Sequence, residues 1–564
     1  MFCGRQEIAL RAHRDAGPLA LETPVINDGN LRSLVRIRIE SGDEALLDHI
    51  LNSGANSMYL SPEIQNELIN IIGQYIQQKI VAKINKSKFF TVLADETTDI
   101  SRIEQFSLCV RYLDNNDIRE DFLTFVPVQN VTGSGLAKTL KETLVSLGLD
   151  LNKMRGQGYD GAAAMSGTFR GCQAIIRDEF PKALYTHCVS HCLNLCLNDA
   201  SKVTAIKNTI GTIGEVCTFF RISAHRSAVL KTKLKDDNKS SSTLIKYCET
   251  RWVERHDSVC LFVECIIPIV LALEDLRNDD KAVALHRRLC SFDFLISLKI
   301  CAKILEITKC LSEYLQKKTV DLSLALEAVD NALTVIQTIR DKSEENFAII
   351  FAGTVTIAST FNVEPKIPRI VGVQRHRENF EANTAEEYFR RSIFVPYLDD
   401  IICSLRERFT GHKEIVSSLQ SVLPSKIILQ QFSAIKAALN FYRDDLNRDV
   451  TEEILNGEWE LWRSKWAEQN QDLPNSASDV LKQCNEDLFP NIRIIVELLA
   501  NLPVTTATVE RSFSTLKRLK DYLRNKTENP RLTGFALMAI HRDIKVNVEE
   551  ILNVFARTKR RFLL

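Results

Sequence analysis

The sequence predicts an α/β protein interrupted by a long all-α insertion, and three observations carry that prediction. Between residues 89 and 128, "FFTVLAD", "FSLCVRYLD" and "DFLTFVPV" are short runs rich in aromatic and β-branched residues, separated by polar turns. From there to about residue 204, strand-like and helix-like stretches alternate, which is the pattern of a mixed sheet covered by helices. From about 205 to 490 the apolar spacing is almost wholly helical, with one break at "EPKIPRIVGVQRHREN", where prolines and basic residues interrupt it.

The elements follow in order. Residues 31 to 87 are helical in pattern, with "IQNELINIIGQYIQQKIVAKI" placing apolar residues at three- and four-residue steps. The three strand-like runs then read as a meander. Next come a helix at "TGSGLAKTLKETLVSLGL", a short strand "MRGQGYD", a Gly/Ala-rich turn "GAAAMSG" and a helix around "CQAIIRDEF". A further strand at "ALYTHC" leads into the helix "HCLNLCLNDA". After the insertion, "NIRIIVELLANL", "VERSFSTLKRLKDYLR" and "RLTGFALMAIHRD" are again strongly helical. Four segments are therefore expected: an N-terminal helical region over 1–87, a first α/β part over 88–204, an all-α insertion over 205–490 and C-terminal helices over 491–564.

Composition narrows the function classes. A chain of 564 residues with 45% hydrophobic and 26% charged residues is an ordinary globular protein, long enough for several domains. Lysine plus arginine and aspartate plus glutamate both number 72, so any surface for a polyanion has to be a local patch. The first residues carry arginines and a histidine where a secretory leader needs an apolar stretch, so neither secretion nor a membrane partner is expected. The 15 cysteines are scattered through apolar helical pattern, as reduced buried thiols are, and no paired array of zinc-finger ligands is visible.

Two carboxylates sit where an open sheet gathers its functional groups. Asp95 ends the first strand, and Asp160 ends the fourth, followed by small residues that let a ligand approach the backbone. Two acids on neighbouring strand ends can share divalent cations of the kind that clamp a phosphoryl transfer. They can equally cap the turns that follow them, and on spacing alone capping is the commoner role.

The helix opening near Thr508 adds a third acid. At about 100° per residue, Val509, Phe513, Leu516, Leu519 and Leu523 form an apolar stripe with Glu510 at its margin, and Lys517 and Arg524 fall near the meridian of Glu510. Over 511–526 the chain carries Arg511, Lys517, Arg518, Lys520, Arg524 and Lys526 against Asp521 alone, a basic strip suited to phosphates. A solvated amphipathic helix in a bundle or dimer interface has the same pattern.

Taken in order, "LADETTDIS", "GQGYDGAAAMSG", "THCVSHCLNL", "ETRW" and "LPVTTATVERSFSTLKRLKDYLRN…RLTGFALMAIHRD" resemble the hAT superfamily of DNA transposases, in the branch that includes domesticated zinc-finger MYM-type and THAP-domain proteins. The resemblance extends over nearly the whole chain. It implies an RNase H-like fold interrupted by the helical insertion and completed by a C-terminal dimerisation region. It also implies a DDE triad of Asp95, Asp160 and Glu510 that would bind two Mg2+ or Mn2+ ions for DNA strand cleavage and transfer. The insertion then explains why 350 residues (510 − 160) separate the second acid from the third.

Other roles follow from the same resemblance. Trp252 of "ETRW" matches a tryptophan near the active site, suited to stacking on an unpaired base. Cys188 and His191 match a Cys-x-x-His pair, expected to pack or to position a DNA end rather than to bind structural zinc, since no second ligand pair is visible. Arg375 and Arg377 of "VQRHR", with Lys517, Arg518 and Arg524, are expected to contact DNA phosphates in a salt-dependent way. Homodimers or higher oligomers are implied, with nuclear residence, although the cytoplasm stays open, and with no small-molecule substrate. Intact relatives carry an N-terminal zinc finger, and none is read in this sequence, which fits a truncated, decayed or domesticated copy. The alternative to a transposase is thus an inactive nuclear protein that acts by dimerising and binding DNA or protein.

Overall fold

The computed structural model describes the chain except residues 13–14, 16, 55–56, 201–202, 238–243, 245–251, 318–319, 369–380, 410–412, 448–449, 468–472, 522–523 and 558–564, and the side chains of 190, 197–200, 252–255 and 413. It forms two compact units, one from Met1–Cys188 with Ile415–Leu564 and one from Val189–Glu414.

The first unit is built on a mixed five-stranded sheet. Its strands are β1 (Phe90–Thr98), β2 (Glu104–Asp114), β3 (Asp117–Val128), β4 (Met154–Tyr159) and β5 (Leu184–His187), in the order β3-β2-β1-β4-β5. β1, β2 and β3 are antiparallel neighbours, whereas β4 and β5 join parallel to β1. The β2–β3 turn is Asn115–Asn116, with φ of 53° and 68°, the left-handed pair that a two-residue hairpin loop needs and that asparagine tolerates. Parallel strands need crossovers, supplied by helices Gly133–Ser146 and Cys172–Glu179. β1 is central, so Phe90 to Ala94 are buried on both faces and exposure begins only at Asp95.

Helices from both ends of the chain complete this core. The long helix Pro62–Lys86 starts on a Ser61 cap with proline in its first turn, and buries Ile69, Ile76, Ile80 and Ile84 with the sheet. From the other end, Val509, Phe513 and Leu516 of helix Ala507–Leu519 and Leu532, Leu537 and Met538 of helix Asn529–Ile540 join the same cluster. The 62–86 and 529–540 helices cross glycine on glycine, so a Cβ on Gly73 would lie 2.7 Å from the Gly534 Cα. Gly73→Ala is therefore expected to cost about 1–3 kcal/mol in urea denaturation, since neither backbone can yield without parting the helices.

The helices of 415–501 belong to this unit as well. Trp459, Trp462 and Trp466 lie on one face of helix Glu452–Ala467 and are fully buried, with the Trp462 indole N–H donating to the Val422 carbonyl at 2.8 Å. Helix Pro490–Asn501 follows Phe489, which has no side-chain acceptor to cap it. The buried Glu458 supplies one from outside, accepting from the Asn491 and Ile492 backbone N–H groups at 2.8 and 2.7 Å.

The second unit is helical. Its centre is helix Phe292–Leu315, which buries Phe292, Leu295, Ile300, Ile304 and Leu311. Among the described residues, Leu322–Asp341 has the length and apolarity to cross a membrane. It carries Glu327 and Asp330, and buries Leu322, Ala325, Val329 and Ile336.

Candidate active site

The site starts from the pleat of β1. Side chains alternate across the sheet, so Thr91, Leu93 and Asp95 share one face and Val92, Ala94 and Glu96 share the other. The pairings extend the first face sideways. Leu93 stands opposite Gly158 on β4, so Asp160, two residues beyond, comes level with Asp95 on that face. On the other side Asp95 is paired with Ser107 of β2.

The 507–519 helix lies on this same face. The Ser107 and Ser512 hydroxyls are 2.7 Å apart, and a Cβ on Gly158 would meet Pro503 at 2.8 Å, which is why glycine stands there. Glu510 is exposed in the first turn of the helix, and its charge reaches Asp95. Two contacts fix that first turn. Cys188, directly after β5, accepts the Thr506 backbone N–H on its sulfur at 3.3 Å. The buried Glu120 of β3, paired with Arg111 at 2.7 Å, accepts the hydroxyl of Thr508.

Electrostatics agree with this placement. Burial first, and then the charges of Asp160, Glu510 and Glu96 in that order, hold the Asp95 carboxyl well above the ordinary range. Glu96, on the opposite face, is raised to about 7 by burial and by Asp160 and Glu104, and among the described residues its buried Oε2 has no hydrogen-bond partner. Each of Asp95 and Asp160 also accepts a backbone hydrogen bond from close by in sequence. Asp95 Oδ1 accepts from the Glu96 N–H at 2.9 Å, and Asp160 Oδ1 from the Ala162 N–H at 3.1 Å. Among the described residues, no group of three or more His, Cys, Asp and Glu side chains stands ready to hold a metal ion.

The basic strip is arranged differently from the sequence pattern. The helix ends at Leu519, so Arg524 lies beyond it and not on the meridian of Glu510. Lys517 is exposed, but Lys520 is buried in an ion pair with Asp99 at 2.6 Å. Arg518 is bidentate to Glu7, and Arg524 donates to the Glu7 carbonyl at 3.0 Å. Asp95, expected at the end of β1, and Glu96, expected in the turn after it, both lie within the strand, because pairing with β2 continues to Thr98 opposite Glu104. Asp99 does belong to the turn, accepting from the Ser101 and Ile103 N–H groups.

Other expected residues fall elsewhere. His191 is in the second unit, on helix Val189–Ala200. Trp252 opens helix Trp252–Glu264, its side chain lying outside the described residues, as do Arg375 and Arg377 entirely. Glu120, Ser107 and Ser512, which position the third acid, carry no local signal, since their partners are hundreds of residues away in sequence.

Comparison with known proteins bears on the same elements. A family model described as "ZMYM1/FAM200, RNase-like domain" matches residues 1–171, and one described as "hAT family C-terminal dimerisation region" matches residues 458–544. The human protein described as "52 kDa repressor of the inhibitor of the protein kinase" is 27% identical over 581 residues, covering 99% of this chain and 75% of that protein. The mouse protein of the same description is 27% identical over 585 residues, with the same coverage.

Proposed function

The chain belongs to the hAT transposase-derived proteins, and on that premise we propose that its sheet is an RNase H-like scaffold whose Asp95, Asp160 and Glu510 form a DNA strand-cleaving site. What supports this reading is that the charges of Asp160, just beyond β4, and of Glu510, on the 507–519 helix, both reach Asp95 on β1 and raise its carboxyl. Hard oxygen donors of this kind suit Mg2+ or Mn2+. Asp95, Asp160 and Glu510 would hold such a cation, which supplies Lewis-acid charge stabilisation at a phosphodiester and a more acidic bound water. To act as ligand, Asp95 gives up the proton that its neighbours now favour, so cation affinity rises with pH. Glu510, exposed on a helix tethered through Thr506 and Thr508, would turn toward Asp95 and Asp160 to join them.

Residues 458–544 match the dimerisation region, and two of its helices, Ala507–Leu519 and Asn529–Ile540, are spent on the sheet core. Self-association would use what stays uncovered, including Leu461 and Leu488, both more than half exposed. DNA would be the substrate and the nucleus the site of action.

A second reading, a non-enzymatic nuclear protein that dimerises and contacts DNA or protein, is favoured by the use of Asp95 and Asp160 as acceptors of nearby backbone N–H groups. The relatives described as a repressor fit it too. A plasmid-nicking assay with Mg2+ or Mn2+ separates the two. Cleavage by the wild type that is lost in both Asp95→Ala and Glu510→Ala supports the first reading. Cleavage persisting in both overturns the triad, and a folded wild type that never cleaves favours the second.

A further inference from the structure

The cations nearest the end of the 507–519 helix are already holding an anion. Arg518 grips Glu7 with two parallel hydrogen bonds, Nε to Oε2 and Nη2 to Oε1, the latter at 2.8 Å. Arg524 Nη1 reaches the backbone oxygen of the same residue at 3.0 Å. Arg542 acts on it electrostatically, and together these cations hold the Glu7 carboxyl below its ordinary value, with the Arg518 hydrogen bond as the largest cause. A planar fork on a carboxylate is the geometry that also receives a phosphate.

The Glu7 segment is pre-positioned rather than draped. Gly4 sits so close to Met538 that a Cβ would lie 2.6 Å from its sulfur, and Arg5 donates to the Ile544 carbonyl at 3.1 Å. On the other side, the Leu10 carbonyl accepts the Leu31 N–H at 3.0 Å. Between these anchors Glu7 takes a φ of 59°, a conformation a non-glycine residue adopts only when its surroundings impose it. The side chain of Arg518 is 54% exposed and that of Glu7 14%, so the fork opens to solvent once the carboxylate leaves. An exposed pair of this kind is weak enough for a polyanion to displace.

We propose that Arg518 and Arg524, with Lys517 and Arg542, form a docking site for backbone phosphates of duplex DNA, and that Glu7 is its built-in competitor. The inference rests on the DNA-binding reading above and adds to it an intrachain gate. Free inorganic phosphate would meet the same fork but lacks the several charges needed to displace Glu7 efficiently.

The test uses the full chain and a labelled random-sequence duplex of about 20 base pairs, followed by fluorescence anisotropy between about 50 and 200 mM salt. Glu7→Gln is expected to bind roughly five- to tenfold more tightly than wild type, with a salt slope steeper by about one phosphate contact. Glu7→Gly, which also relieves the positive φ, should show the same gain and guards against a folding defect in the first variant. The gain should vanish in Glu7→Gln/Arg518→Ala. Equal binding by wild type and both Glu7 variants, with Arg518→Ala weaker, overturns the gate and leaves the DNA reading standing. A gain that survives Arg518→Ala overturns the assigned site, and no binding by any variant overturns both the gate and the DNA reading.

Discussion

Asp95→Asn is expected to abolish metal-dependent nicking while making the fold more stable at neutral and alkaline pH. Loss of one catalytic carboxylate lowers activity on the order of 10^4-fold. The stability change follows from the proton balance. Burial and three neighbouring acids hold the Asp95 carboxyl above its ordinary value in the folded chain. The folded state therefore binds a proton that the unfolded state has already lost. Wild-type stability falls as pH rises from the ordinary carboxylate value through the folded one, and the ionised form is the costly one. Glu96 adds to the same slope between its ordinary 4.5 and about 7. An amide at 95 keeps the shape and cannot ionise, so Asp95→Asn should gain about 1 kcal/mol at pH 8 and little at pH 5, the usual yield of relieving a functional site. Urea denaturation at the two pH values checks it. A variant less stable than wild type at pH 8 would mean that an unrecognised cation already compensates Asp95.

The same two acids show how far the chain could be read before folding. Asp95 stood out because a β-branched and aromatic run meets carboxylates abruptly, and Asp160 because it closes a short strand-like stretch before small residues, both local properties. The five strands were legible for the same reason. Glu96 was not, because how far β1 runs is decided by its pairing with β2 and not by the acids within it. Lys520 reads as one more cation in a basic strip, since Asp99, which buries it, is 421 residues away. The Glu7 partners of Arg518 and Arg524 are equally remote, at 511 and 517 residues. Glu458, capping a helix that its own sequence leaves uncapped, is a fourth case. Local periodicity gives elements and faces, whereas which charge meets which is set by topology.

Lys520→Met is expected to be the most destabilising single change on this face, by about 3–5 kcal/mol. The side chains of Lys520 and Asp99 are 2% and 1% exposed, and their 2.6 Å contact takes both charges out of water. Burial pushes the Asp99 carboxyl up, but hydrogen bonds from Lys520, Gln105 and the Ile103 N–H outweigh it and leave the group below its ordinary value. Removing the ammonium strands a carboxylate whose turn still needs it. The pair's contribution is present above the ordinary carboxylate value and is lost as pH falls through the lower, folded one. Deleting both charges should be far milder, so Asp99→Asn/Lys520→Met is expected to recover most of the loss, and a double-mutant cycle measures the coupling. A geometric consequence accompanies the energetic one. Asp99 opens the β1–β2 turn four residues after Asp95, and Lys520 closes the helix whose first turn carries Glu510. The ion pair thus ties the strand of the first acid to the helix of the third. If the triad reading holds, Lys520→Met should lower nicking more than its fraction unfolded accounts for, and Asp99→Asn/Lys520→Met should regain stability faster than activity. Equal recovery of both would mean that the pair supports the fold alone.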